Sequence, residues 1–456
     1  MFFNSINPYT GKVIKEYKYL NSKEIDNTIN NTNTAFLEWK KTTIKYRTES
    51  LRKAAAILVD QKQKYGRIMA EEMGKPISVG EAEALKSAWV CNYYAENAKD
   101  FLKNEHIKTE CSESFITFQP LGIIFAVMPW NFPFWQVFRF AAPSLIAGNA
   151  CLLKHAPNVP ECAIEIENIF LKAGFPEFLF KSIFVDIPLV ESVINNRFVK
   201  GITLTGSERA GQSVASLAGK ALKKSVMELG GSDPYIILDD ADMESAVNSC
   251  IISRMLNSGQ TCISAKRFIV VKSRLKEFEK IFVEEISKLQ FGDPMNSETK
   301  FGPMARFDLR DGLKLQVEKS ISLGAKCIYR GSIPDNSNGA FYPIEVLTDV
   351  NKGMPAFDEE LFGPVASIIS AEDESDAINI ANDTCYGLGA AIFTKDIKKG
   401  VKIATDELNA GACAVNDFVK SDPRLPFGGI NSSGYGTELC HYGMKEFVNI
   451  KSISVK

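Results

Sequence analysis

Four short segments carry residues whose types could do chemistry together. SGQTCIS (258–264) places Cys262 in a polar turn just beyond a helical stretch. Gly259 leaves little side chain before it, and a nest of backbone N–H groups there would favour the nucleophilic thiolate. VMELGGSDP sets Glu228 at the end of an apolar run, before two glycines, where a carboxylate can serve as a general base. In VMPWNFPFWQVFRF, Pro129 and Pro133 fix the backbone around Trp130 and Asn131, and the Asn131 amide can donate to a developing oxyanion. GITLTGSERAG turns from a β-rich run into a helix at Gly206–Ser207, which aims backbone N–H groups at a phosphate. Each segment taken alone also fits a plainer role. Cys262 could be one more buried thiol, Glu228 a surface carboxylate, Asn131 a helix cap, and Gly206 an ordinary strand–helix turn. The glycine spacing is G-S-x-x-x-G, which is not the dinucleotide fingerprint G-x-G-x-x-G.

The elements that must position these residues are legible in outline. Residues 22–101 place apolar side chains three and four apart and read as helices, with Gly74 and Pro76 stopping one of them at EMGKP. LGIIFAVM (121–128), ACLLK (150–154), SIFVDI (182–187) and GITLTG (201–206) are strand-length apolar runs separated by helical segments. Such runs are expected of strands buried on both faces of a parallel sheet. A second series follows, with DPYIIL (233–238), RFIVV (267–271), PVASIIS (364–370), LGAAIFT (388–394) and GACAVN (411–416) as strands. A helix is expected at about 242–257, with Met243, Ala246, Val247, Cys250 and Ile251 on one face. The alternation predicts two α/β domains joined near Gly230–Gly231. Residues 107–119 read as an exposed hairpin, and the strand-like C-terminus EFVNIKSISVK could pair with it or with another subunit.

Composition narrows the function. A chain of 456 residues exceeds one ordinary core, and 45% hydrophobic with 24% charged residues is ordinary for a globular protein. A formal net charge of −2 predicts no pull towards nucleic acid or membrane. No run reaches a membrane span, and the N-terminus has no signal-peptide pattern. Ten scattered cysteines without a CxxC pair fit a reducing cytoplasm. Three isolated histidines make a zinc site or a serine hydrolase improbable, so no metal is expected.

The order Asn131, Gly206, Glu228, Cys262, then EELFGPV (359–365) and PFGGINSSGYG (426–436), resembles the aldehyde dehydrogenase superfamily along essentially the whole chain. Glu228 and Cys262 are 34 positions apart, as in that family, and the 129–160 region is most similar to bacterial succinate-semialdehyde dehydrogenases. The resemblance implies a Rossmann-like cofactor domain (1–101 and 120–230), an α/β catalytic domain (231–435) and a small β oligomerisation arm (102–119 and 436–456). It implies Cys262 as nucleophile, Asn131 and the Cys262 N–H as oxyanion donors, and Glu228 as the base that hydrolyses a thioester. NAD or NADP would be held by Trp130, Lys154, Gly206, Ser207, Glu360 and Phe362. Arg139, or less strongly Arg424, would grip a distal carboxylate on the aldehyde. The family assembles as homodimers or homotetramers.

Three positions depart from common family patterns. Pro157 stands where many NAD-preferring relatives have a glutamate, so NADP stays open. Asn431 replaces a lysine after PFGG, and Ser264 replaces the second cysteine of a redox pair. An acylating, coenzyme A-dependent enzyme and a broad-specificity aldehyde dehydrogenase are the alternatives. Glu228 weighs against the former. A non-catalytic member of the fold should have lost Cys262, Glu228 or Asn131.

Overall fold

The computed structural model describes residues 1–334 and 338–456. Its first element is a hairpin that the periodicity reading passed over, pairing Phe2–Ile6 antiparallel with Val13–Lys18. The turn between them is set by Asn7, whose Oδ1 accepts from the N–H of Tyr9 and Thr10, and by Gly11 at φ 70°. Helices Ser22–Trp39, Ile44–Asp60, Lys62–Met73 and Ile77–Phe101 follow. Asn21 and Glu24 close a reciprocal capping box on the first of these. Gly74, in the left-handed region at φ 72°, ends the third, as expected from EMGKP.

Two sheets carry the site. In the first, the strands run in the order Gly434–Tyr435, Lys224–Glu228, Val199–Thr205, Ile123–Met128, Ala150–His155, Phe180–Ser182. All neighbours are parallel except the first pair. The expected strand at 182–187 instead occupies Phe180–Ser182. Beyond it Asp186 caps a short 3-10 turn, Ile187–Leu189, whose Pro188 can donate no ladder hydrogen bond.

The second sheet runs Lys326–Arg330, Glu345–Thr348, Val365–Ala371, Ala265–Val271, Asp233–Ile237, Gly389–Phe393, Ala412–Val415. Only its first pair is antiparallel, and the first two strands were not anticipated. Side chains alternate between two cores, Ile236 and Leu238 on one face and Tyr235 and Ile237 on the other. The helix expected near 242–257 is Met243–Met255, and all five residues assigned to its inner face are buried.

A third, three-stranded sheet pairs Val448–Val455 antiparallel with Glu113–Pro120 along its whole length. Residues 107–112 form no strand, and only Glu105–His106 supplies the other arm of the expected hairpin. Gly434–Tyr435 joins the edge of the first sheet, so the chain crosses back from the second sheet before it enters this third one.

Candidate active site

Cys262 follows a turn in which three successive residues have left-handed backbones, Asn257 and Ser258 at φ 55° and Gly259 at φ 78°. Such a conformation costs a non-glycine residue about 1–2 kcal/mol, so the surroundings must over-determine it. They do so through hydrogen bonds to main-chain groups. Arg254, fully buried, donates to Gly259 O at 2.6 Å, Gly363 O at 2.9 Å and Ala265 O at 3.0 Å. The Ser258 hydroxyl donates to Gly302 O at 3.0 Å, and Gln260 Oε1 accepts from Ala305 N at 2.9 Å. Gly259 is required twice: by its φ, and because a Cβ there would lie 2.3 Å from Gly363 O.

Asn131, just past the strand Ile123–Met128 of the first sheet, meets this turn. Its side-chain amide donates to Gln260 O at 3.1 Å, and its own carbonyl accepts from Asn257 Nδ2 at 2.9 Å. That leaves one N–H of the Asn131 amide for a further acceptor. The Asn131 carbonyl also accepts from Lys75 Nζ at 2.7 Å. Lys75 is ion-paired with Glu83, and both are buried. The same Glu83 carboxylate accepts from the N–H of Phe134 (2.8 Å) and Trp135 (3.0 Å), which caps the helix Trp135–Ala147.

The two turns face one cleft of about 210 Å³, lined by Trp130, Asn131, Gly206, Ser207, Cys262, Glu360 and Phe362, seven of the residues expected from sequence. Gln136, Thr205, Leu229 and Leu309, which were not singled out, complete the wall. Trp130 and Phe362 meet edge to face with centroids 5.7 Å apart. Ser207 caps the 13-residue helix Glu208–Lys220, whose N-terminus opens on the cleft. Gly211, one turn in, packs so closely that a Cβ would lie 2.4 Å from Leu229 Cδ2.

Burial decides the electrostatics. It pushes the Cys262 thiol up to about 12, against the opposing pull of Arg139 and Lys266, with Glu360 and Glu228 adding to the rise. The expectation that local N–H groups favour the thiolate is therefore corrected. Desolvation of the anion outweighs them in the free protein. Lys266 donates to Cys262 O at 2.6 Å and Thr261 O at 3.1 Å, and pairs with Glu360 at 3.1 Å. Glu360 also accepts from Gly231 N at 3.2 Å. Glu228 lies behind the cleft wall at the end of its strand, buried, with Oε1 unpartnered. Burial holds its carboxyl well above the usual range, opposed by Arg139 and reinforced by Glu438.

Four expected residues lie off the cleft lining: Glu228, behind it, and Arg139, Arg424 and Lys154. Arg139 is buried and spends its guanidinium on an ion pair with Glu438 and on the face of Phe427, 4.6 Å away. Its charge still reaches Cys262 and Glu228. Arg424 is exposed, bound to Asp422 at 2.6 Å and lying over Trp89. Lys154 stands on the strand Ala150–His155, and its amine has no ion-pair partner among the described residues. An unpaired lysine, an open helix N-terminus and the absence of a carboxylate at Pro157 together fit a phosphate-bearing dinucleotide. Ser264 is buried and donates to Thr261 O at 2.9 Å. Asn431 occupies a left-handed position, φ 55°, which asparagine tolerates.

The aldehyde dehydrogenase family model matches residues 1–453. A probable NADP-dependent succinate-semialdehyde dehydrogenase of Synechocystis sp. is 44% identical over 453 residues, covering 99% of each chain. The NAD(P)-dependent succinate semialdehyde dehydrogenase Sad of Escherichia coli is 43% identical, covering 98% of this chain and 97% of its own. The crystal structure of succinic semialdehyde dehydrogenase from Streptococcus pyogenes in complex with NADP superposes with a TM-score of 0.96 at 35% identity, covering 99% of each chain. A match of this extent, with a buried cysteine turn and an asparagine amide meeting across two α/β sheets, leaves one conclusion: the chain belongs to the aldehyde dehydrogenase family.

Proposed function

We propose that the protein oxidises succinate semialdehyde to succinate with NADP or NAD. The observation that carries this reading is the meeting of Asn131 and the Cys262 turn in a cleft that also receives a helix N-terminus. Its relatives from Synechocystis, E. coli and S. pyogenes carry that substrate in their names.

The Cys262 thiolate adds to the aldehyde carbon, and the free N–H of the Asn131 amide with the Cys262 backbone N–H holds the oxyanion. Bound NAD(P) supplies the hydride acceptor, after which Cys262 carries a thioester. Glu228, once deprotonated, takes a proton from the water that hydrolyses it. Lys154, Gly206 and Ser207 would hold the adenosine and phosphate portions of the cofactor, and Trp130, Glu360 and Phe362 its nicotinamide end. For Glu360 this requires sharing or leaving its contacts to Lys266 and Gly231 N. Arg139 acts as a positive charge for the substrate carboxylate only to the extent that Glu438 releases it. Arg424 acts there only if it leaves Asp422.

The reading extends to a homodimer or homotetramer built through the arm, whose strand Val448–Val455 exposes Ile450 and Val455. It also extends to a reducing cytoplasm, consistent with ten unpaired thiols.

NAD(P)H formation from succinate semialdehyde tests the activity. Cys262→Ala should abolish it with the fold retained, and appreciable turnover in that variant overturns the assignment. Product formation that requires coenzyme A would replace hydrolysis with acyl transfer.

A further inference from the structure

Among the described residues, Lys86, whose charge is felt at Cys262, has no counter-ion. Lys86 lies one turn after Glu83 on the helix Ile77–Phe101, and its ammonium rests 4.3 Å from the ring centre of Trp135. The charged groups in its electrostatic reach are Arg139, Glu83, Asp422 and the Cys262 thiol. Each carboxylate among them is already engaged. Glu83 is bound to Lys75 and to two backbone N–H groups. Asp422 is held by both sides of the Arg424 fork, at 2.9 and 2.6 Å. Glu438 takes Arg139, and burial raises the Glu228 carboxyl above its usual range, which disfavours its charge. Lys86 forms no ion pair among the described residues, so its ammonium is left for a ligand.

A desolvated, unpaired ammonium is costly, and an incoming anion relieves that cost. Trp135 and Arg139 are four apart on the helix Trp135–Ala147 and so share a face. Lys86 lies over the first of them, which gives the anion an aromatic wall and a second cation beside the first.

We infer that Lys86 is the principal anchor for the distal carboxylate of the aldehyde substrate, binding it through a charge-assisted hydrogen bond over Trp135, with Arg139 held in reserve by Glu438. The inference rests on the carboxylated-aldehyde reading above. The physical signature of the site is a lysine whose burial beside Arg139 pushes its ammonium down to about 8 in the free protein. Carboxylate recognition should therefore weaken as pH rises through that value, since the neutral amine offers no charge.

The test compares parent, Lys86→Met and Lys86→Arg with succinate semialdehyde and with butanal, which has the same chain length and no carboxylate. Lys86→Met should raise KM for succinate semialdehyde roughly tenfold or more and leave butanal within about twofold. Lys86→Arg should retain most of the affinity and remove the decline in preference above pH 8, because a guanidinium stays charged. Equal preference in parent and Lys86→Met overturns the inference and leaves the substrate reading intact. A parent with no preference for the carboxylated aldehyde overturns both. Should Lys86→Met fail to fold, the Lys86→Arg pH profile decides, and a profile unchanged from the parent overturns the inference.

Discussion

Desolvation shifts two titratable side chains of the site, Cys262 and Glu228, in the same direction. Burial raises the Cys262 thiol to about 12, so the cofactor-free enzyme carries almost no thiolate near neutrality. Alkylation of Cys262 should then be slow and should rise roughly tenfold per pH unit across the neutral and mildly alkaline range. A fast thiol that plateaus near pH 7 would contradict this. Glu228 is shifted in the same direction, and its acid form cannot accept a proton from water. Thioester hydrolysis should accordingly speed up as pH rises, while the single-turnover burst follows a different profile. Glu228→Gln should preserve the burst of NAD(P)H and lose steady turnover by about 100-fold or more. A steady rate equal to the parent removes Glu228 as the base. Cys262 and Asn131, expected from sequence, lie on the cleft lining, and Glu228 stands behind it. The ion pair of Arg139 was not legible there, because its partner Glu438 lies 299 positions away and no local pattern pairs them.

The elements show how the fold supports two irregular turns. The Cys262 turn rests on Arg254, Asn257 and Gln260, and the Asn131 turn rests on Lys75 and Glu83. None of these five was selected from the sequence. Lys75 stood out only as part of a helix stop, since its acceptor is a main-chain carbonyl 56 residues away. Hydrogen bonds to distant carbonyls leave no periodicity to read. Glu83→Gln should cost about 3–5 kcal/mol in urea unfolding, because it leaves Lys75 buried without its counter-charge. Activity should fall further than stability alone accounts for, as the Asn131 carbonyl loses its anchor. Paired loss of both side chains, Lys75→Met with Glu83→Gln, should recover part of the stability and little of the activity. Gly259→Ala should destabilise by about 2 kcal/mol or more through its φ and the approach of Gly363 O. A neutral effect would mean the turn can relax.

At the scale of the whole molecule, the C-terminal strand is paired on one side only. Val448–Val455 hydrogen-bonds to Glu113–Pro120 and presents its other edge outward. Such an edge is a ready template for a second chain. Removing residues 447–456 should reduce the sedimenting mass to a smaller assembly, and an unchanged sedimentation coefficient would place the subunit contact elsewhere. The sequence by itself carried the order of motifs that resembles the family, and the alternating α/β plan. A motif order is a property of the chain, and strands buried on both faces announce themselves as apolar runs. It passed over the hairpin Phe2–Ile6/Val13–Lys18 and the strands Lys326–Arg330 and Glu345–Thr348. The two that pair at the sheet edge are short, and the hairpin is largely exposed, so neither shows a long apolar run. Only the tertiary structure decided which charges remain free. Glu438 reaches Arg139, Arg424 takes Asp422, and Glu83 takes Lys75, leaving Lys86 over Trp135 without an ion pair among the described residues. Ion pairing depends on distance in space and on what water is excluded, and neither quantity is a function of position along the chain.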